Sequence, residues 1–148
     1  MIGSNIQPQQ NIQAALKMLD GNCMIKRCSK IWKTTPYGSA GPDFLNIVAL
    51  VDTPMEKDQV KTQLITSIEM KLKRKRTSDK NAPRTIDVDI IIFDGEVLDQ
   101  GLWNKFFITV PMADLLPELK DPDSGKPLHE IAQGMLDQGL AVFYSDCF

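Results

Sequence analysis

Arg84-Thr85-Ile86-Asp87-Val88-Asp89-Ile90-Ile91-Ile92-Phe93 sets apolar residues against polar ones at every second position, the period of a β-strand. Successive side chains on a strand point to opposite faces, so Ile86, Val88, Ile90 and Ile92 share one face and Thr85, Asp87, Asp89 and Ile91 the other. The first face is a core face. The second carries two carboxylates, roughly 7 Å apart between Cα atoms. Like charges that close repel each other and favour a cation between them. Magnesium takes oxygen ligands and binds through one or two carboxylates plus waters and substrate phosphates. A two-ion clamp also fits a pair of neighbouring carboxylates. The plain alternative is a solvated sheet face with no chemistry. The neighbourhood decides between them: Lys71, Lys73, Arg74, Lys75, Arg76, Lys80 and Arg84 lead straight into the strand, with Asp79 the one acid among them. Positive groups around a migrating phosphoryl charge are what phosphoryl transfer needs. Asp87 and Asp89 are therefore expected to hold magnesium ions for a reaction that uses ATP.

The segments outward from this strand alternate between helical and extended patterns. Residues 8–20 read as a helix, with Pro8 in the first turn, Ile12, Leu16 and Leu19 on one side, and Gly21 as a stop. Cys23 to Trp32 is a strand candidate interrupted by Lys26 and Arg27. Residues 34–43, with two Gly and two Pro, form a loop. Phe44 to Val51 is a strong central strand. Thr53-Pro54-Met55-Glu56 has the form of a capping box with Thr53 as N-cap, opening a helix to about Leu72 that buries Val60, Leu64, Ile68 and Leu72. Asp94-Gly95 predicts a tight turn into Glu96-Val97-Leu98. Phe106 to Val110 reads as extended, Met112 to Leu115 as a short helical turn, residues 121–125 as a turn, and Leu128 to Met135 as a short helix. Interleaved strands and helices without a repeat or linker predict one α+β domain over 1–148, a sheet covered by helices.

The bulk numbers exclude other classes. A chain of 148 residues, 43% hydrophobic and 24% charged, can bury a core without disulfides. A net charge of −2 argues against general nucleic-acid or membrane-surface binding. Cys23, Cys28 and Cys147 have neither zinc-site nor disulfide spacing, and no secretory or membrane-spanning pattern is present, so a cytoplasmic setting is expected. Phe44 and Asn46 share a strand face, an aromatic ring beside an amide, which suits a flat heterocycle.

Ile2-Gly3-Ser4-Asn5, Thr34, Pro36 and Gly38, Phe44-Leu45-Asn46, Glu69 and above all Pro83-Arg84-Thr85-Ile86-Asp87-Val88-Asp89-Ile90-Ile91 resemble the 6-hydroxymethyl-7,8-dihydropterin pyrophosphokinases of folate biosynthesis. The likeness runs from residue 2 to about 119. It implies a ferredoxin-like α/β sandwich that transfers pyrophosphate from ATP to the pterin hydroxymethyl oxygen and releases AMP. It further implies that Asp87 and Asp89 bind two Mg2+ ions, that Arg74 and Arg76 belong to a loop closing over the phosphates, and that Glu69, Lys80 and Arg84 contact the nucleotide. Thr34, Pro36, Tyr37, Phe44 and Asn46 would line the pterin pocket, the ring stacking on Phe44 with Phe107 as the opposite wall. No general base is evident, so metal-assisted deprotonation is implied.

Three departures accompany the resemblance. Only Met1 and Ile2 precede Gly-Ser-Asn, where the family has a longer apolar run, so the first strand is expected to be truncated, with an unpaired sheet edge and an under-filled core. The chain passes from Leu102 to Lys105-Phe106-Phe107 without the family's histidine, and Lys105 stands at the place of an arginine. An aromatic residue ahead of Pro83 is also missing. These departures leave a second reading, a non-catalytic relative that binds a pterin or nucleotide. A third, an RNA-binding module using the basic stretch, is disfavoured because no aromatics interleave with the charges. A monomer acting on small molecules, with no nucleic acid or membrane partner, is the expectation.

Overall fold

The computed structural model describes residues 1–38, 40–78 and 82–148. In chain order they form β1 (Ile2–Ser4), α1 (Pro8–Asp20), β2 (Met24–Cys28), β3 (Ile31–Thr34), β4 (Phe44–Ile47) and β5 (Ala49–Asp52). One continuous helix follows, made of α2 (Lys57–Gln59), a π-helical stretch (Val60–Ile65) and α3 (Thr66–Lys71). Then come β6 (Asp87–Val88), β7 (Ile92–Phe93), β8 (Glu96–Val97), a 3-10 turn (Gln100–Trp103), α4 (Phe106–Ala113), α5 (Leu128–Asp137) and β9 (Ala141–Ser145).

The sheet runs β6-β1-β4-β3-β9, and every pairing in it is antiparallel. Two ribbons, β2-β5 and β7-β8, extend from it. The fold is thus α+β and ferredoxin-like, a mainly antiparallel sheet between helices. On one face Ile2, Leu45, Ile47 and Val88 meet Ile12 and Leu16 of α1 and Val60, Leu64 and Ile68 of the long helix. On the other, Val48, Ile91, Ile108, Met112 and Leu128 form a second core, beside a smaller cluster of Trp32, Val110, Ala132 and Ala141.

Several expected elements appear in altered form. The two long strand candidates each break in two, at residues 29–30 and at Val48. Ser29 supplies the cause: its amide donates to the Val48 carbonyl at 2.8 Å, and its hydroxyl accepts from the Val48 amide at 2.9 Å. A side-chain oxygen has replaced one ladder acceptor, so both strands bend together. The long helix starts at Lys57 rather than after Thr53, because Glu56 and Gln59 form the reciprocal capping box. Its buried residues recur every four positions, and four residues turn an α-helix through about 400°. The wider π-helical turn absorbs that drift and keeps Val60, Leu64 and Ile68 on the core side.

Phe106 to Val110 is helical, not extended. Its β-branched and aromatic residues favour strands locally, but nearly all are buried between two core clusters, and tertiary packing overrides that preference. Thr109 ties the helix down by donating to the carbonyls of Leu102 and Lys105. The 85–93 strand also divides, into β6 and β7, with the expected alternation holding through Ile91. It slips there: Ile92 packs with Ile91 in the second core, and Phe93 returns to the first. Asp94 and Gly95, at φ 48° and 81°, make the expected tight turn in the left-handed region that suits the β7-β8 hairpin. β1 has three residues, as short as expected, and lies second in the sheet, paired on both sides by β6 and β4.

Candidate active site

Antiparallel register places Asn46 of β4, Gly3 of β1 and Asp87 of β6 in one row across the sheet. The middle member has no side chain. A Cβ built on Gly3 would stand 2.9 Å from Asn46 Oδ1, closer than a real Cβ contact, so glycine keeps the floor between the amide and the carboxylate open. A cavity of about 180 Å³ lies over this floor.

Its walls gather most of the residues the sequence singled out. Thr34, Pro36, Tyr37, Phe44, Asn46, Arg84, Asp87, Asp89 and Phe107 all border it, together with Met1, Gly3 and Thr35. Asn46 is buried and donates through Nδ2 to Thr34 Oγ1 at 2.8 Å, which turns its amide oxygen toward Gly3. Phe107 enters from the first turn of α4 and packs edge-on against Tyr37, with ring centroids 5.6 Å apart. The Arg84 guanidinium lies 5.8 Å from the centroid of the Phe44 ring. An aromatic wall, a fixed amide and a carboxylate pair thus surround one small space.

The two aspartates live in different environments. Asp87 is clamped by Arg84 Nη1 at 2.6 Å and by Arg74 Nη2 at 3.2 Å. Among the described residues no ion pair reaches Asp89, which opens to solvent. Desolvation by the surrounding protein, then the Asp87 charge, push its carboxyl above the usual range. A carboxylate with a raised proton affinity and a like charge beside it is a site that a cation relieves. The donor set fits magnesium: two carboxylates, with the remaining positions open to water and phosphate oxygens. Among the described residues no cluster of three or more His, Cys, Asp or Glu forms a closed metal cage.

Glu69 sits behind the pair, on α3, and is 6% exposed. Its Oε1 accepts from the Val88 amide, the peptide group between the two aspartates, at 3.3 Å, and its Oε2 accepts from Arg76 at 2.9 Å. Arg74, Arg76 and Glu69 therefore flank the carboxylates without bordering the cavity. Arg74 is lowered from its ordinary pKa first by burial. Lys80, expected at the nucleotide, lies outside the described residues. Lys105 is drawn to Asp99 at 3.8 Å.

Sequence reasoning missed how Ser4 and Asn5 hold the Arg84 segment. Asn5 Oδ1 accepts from the Arg84 amide at 2.7 Å, the Asn5 and Ile6 amides both donate to the Arg84 carbonyl, and the Ser4 hydroxyl donates to the Thr85 carbonyl. The turn-like look of residues 1–5 was the signal; the partner eighty residues away was not visible in it.

The profile of the 7,8-dihydro-6-hydroxymethylpterin-pyrophosphokinase family matches residues 1–117. A 2-amino-4-hydroxy-6-hydroxymethyldihydropteridine pyrophosphokinase of Pseudomonas aeruginosa is 30% identical, the match covering 94% of this chain and 91% of the relative. The Synechocystis protein of the same name is 28% identical over 89% of this chain and 72% of its own length. The folic acid synthesis protein fol1 of Schizosaccharomyces pombe is 31% identical over 97% of this chain, which spans 21% of that longer protein.

Proposed function

This chain belongs to the 7,8-dihydro-6-hydroxymethylpterin-pyrophosphokinase family, and from that premise we propose that it transfers pyrophosphate from ATP to 6-hydroxymethyl-7,8-dihydropterin, yielding AMP and the pterin diphosphate on the route to folate. The observation that supports this reading is the row Asn46-Gly3-Asp87, an amide and a carboxylate across one open floor; in our reading the amide meets the heterocycle and the carboxylate faces the phosphates.

The roles follow from chemistry. The pterin ring lies between Phe44 and Phe107, beside Pro36 and Tyr37, with Asn46 and Thr34 meeting its polar edge. Asp87 and Asp89 are the groups that would hold Mg2+, two ions in our reading, which when bound neutralise phosphate charge and acidify the attacking hydroxyl. Arg74 and Arg84 already neutralise Asp87, so a cation at that carboxylate frees them for the nucleotide's phosphates. Arg76, half-tethered by Glu69, and Lys80 add positive charge from the same segment. Glu69 fixes the Val88 peptide and with it the spacing of the two aspartates.

We further take residues 1–148 as one domain, acting as a monomer on small molecules without nucleic acid. Among the described residues no helix is long and apolar enough to cross a membrane; a cytoplasmic site of action is part of the proposal. AMP formation from ATP and the hydroxymethyl dihydropterin tests the activity directly, with isothermal titration of Mg2+ as an independent readout of the carboxylate pair. The Lys105–Asp99 contact and the absence of a histidine between Phe93 and Phe106 favour one second reading. Magnesium-dependent ATP binding without AMP release would select that reading, a non-catalytic pterin or nucleotide binder.

A further inference from the structure

Spacing along the chain keeps the cysteines apart, and the fold brings two of them together. Cys28 ends β2, where it faces Ala49 of β5. Ser145 ends β9 and faces Ile31, the first residue of β3. The β3–β9 pairing is antiparallel, so each residue past Ser145 steps back from Ile31 toward Cys28. Cys147 thereby reaches the β2–β3 corner, and its thiol contacts that of Cys28. Both are free thiols, part-buried, and both pack against the same core cluster.

The corner is firm on one side and loose on the other. Ser29, next to Cys28, is fixed by its two bonds to Val48. β9 is the last strand of the sheet and, among the described residues, pairs with β3 along one edge alone. Its Val142, Phe143 and Tyr144 are exposed, so little burial holds the strand down. A link from Cys147 to Cys28 would anchor the far end of β9 to the fixed corner. The third cysteine is placed differently. Cys23 shares the core cluster, but its Sγ donates to the Leu19 carbonyl at 3.0 Å, one turn back along the chain.

We propose that Cys28 and Cys147 are a reversible dithiol–disulfide pair, a modification site for small disulfides such as oxidised glutathione, from which Cys23 is left out. The two thiols differ in reactivity. Burial, then the Cys147 side chain, push Cys28 up to about 12, so it stays protonated and attacks poorly. Asp20 acts on Cys28 in the same direction. Cys147 therefore reacts first. Its thiolate attacks one sulfur of the small disulfide, forming a mixed disulfide and expelling a thiolate that takes up a proton. Cys28 then gives its proton to solvent and attacks Cys147 Sγ, so that the Cys28–Cys147 bond forms and the second small thiol leaves. Two protein thiols are oxidised, and one disulfide is reduced to two thiols. Excess dithiol reverses both steps. A setting that keeps thiols reduced admits such a bond as a transient response to oxidation.

The test incubates the folded chain with oxidised glutathione at mildly alkaline pH, then alkylates, digests and weighs the peptides. The expected product has lost two hydrogens, links Cys28 to Cys147 and carries the alkyl group on Cys23; dithiothreitol restores all three thiols. Its Tm should rise by about 5 °C or more, since the bond closes most of the chain into one loop. Amide exchange at residues 142–145 should slow at least tenfold. Cys23→Ser should change none of this. With far-ultraviolet spectra unchanged, Cys28→Ser should stop at one glutathione on Cys147, and Cys147→Ser should gain neither glutathione nor an internal bond. A link through Cys23, or glutathione retained by the unaltered chain without an internal bond, would overturn the proposal. So would an oxidised chain whose β9 amides exchange as fast as before.

Discussion

Two hollows lie against the same end of β1 among the described residues, and Met1 and Asp89 border both. The larger, about 580 Å³, is walled by aliphatic side chains and open strand edges; the smaller, about 180 Å³, brings an amide, two carboxylates, a guanidinium and three aromatic rings together. Size alone would favour the larger, whereas the proposed chemistry belongs to the smaller. A binding site is marked by polar groups that converge and are held by partners of their own, as Asn46 is by Thr34 and Asp87 by Arg74 and Arg84. The larger hollow is lined mainly by apolar side chains.

The contrast can be broken most sharply at the carboxylates. Asp87→Ala and Asp89→Ala should each lower AMP release by about 10³-fold or more and abolish Mg2+ binding in titration, with the far-ultraviolet spectrum unchanged. Arg74→Ala should cost about 10²-fold in kcat through lost phosphate stabilisation. If either aspartate variant turned over normally, the small hollow would not be the catalytic one. On the pterin side, Asn46→Ala should raise KM for the pterin about tenfold and leave KM for ATP unchanged, and Gly3→Ala should do the same by displacing the Asn46 amide. The matching substitution in the larger hollow, Leu50→Ala, should change either KM by less than about twofold, since a single exposed apolar truncation away from the site has little leverage.

The smallest effect distinguishes the two aspartates themselves. Asp89 has a raised carboxyl pKa in the fold, so the folded state binds its proton more tightly than the unfolded chain does. Stability from that group is complete below the ordinary value of 3.8 and is lost as pH rises through the raised one. Without metal, Asp89→Asn should therefore raise Tm slightly at pH 7, with the gain fading below that value. Asp87→Asn should lower Tm, because it strips Arg74 and Arg84 of their shared partner. Mg2+ affinity should weaken toward acid pH as Asp89 takes up its proton, which titration at two pH values would show.

Much of this was legible in the chain. Strict alternation put Asp87 and Asp89 on one face, and α1, the 94–95 turn and α5 had the capping or periodic residues that local structure rewards. What was hidden depended on distance or on context. Ser29 bends two strands through a partner nineteen residues away. Phe106 to Val110 carries a strand composition and folds as a helix because burial on several sides outweighs it. Gly3 reads as an ordinary turn residue until the register sets it between Asn46 and Asp87.

That glycine has a consequence for inhibition. The floor of the small hollow is main chain, and a ligand resting on it gives selection little to alter. Any side chain at position 3 would stand about 2.9 Å from Asn46 Oδ1, so that at the proposed pterin site the change would harm substrate as much as drug. Resistance to a floor-bound compound would have to arise at the rim, from exposed Tyr37 or its neighbour Pro36, where substitution leaves the Asn46–Thr34 pair intact.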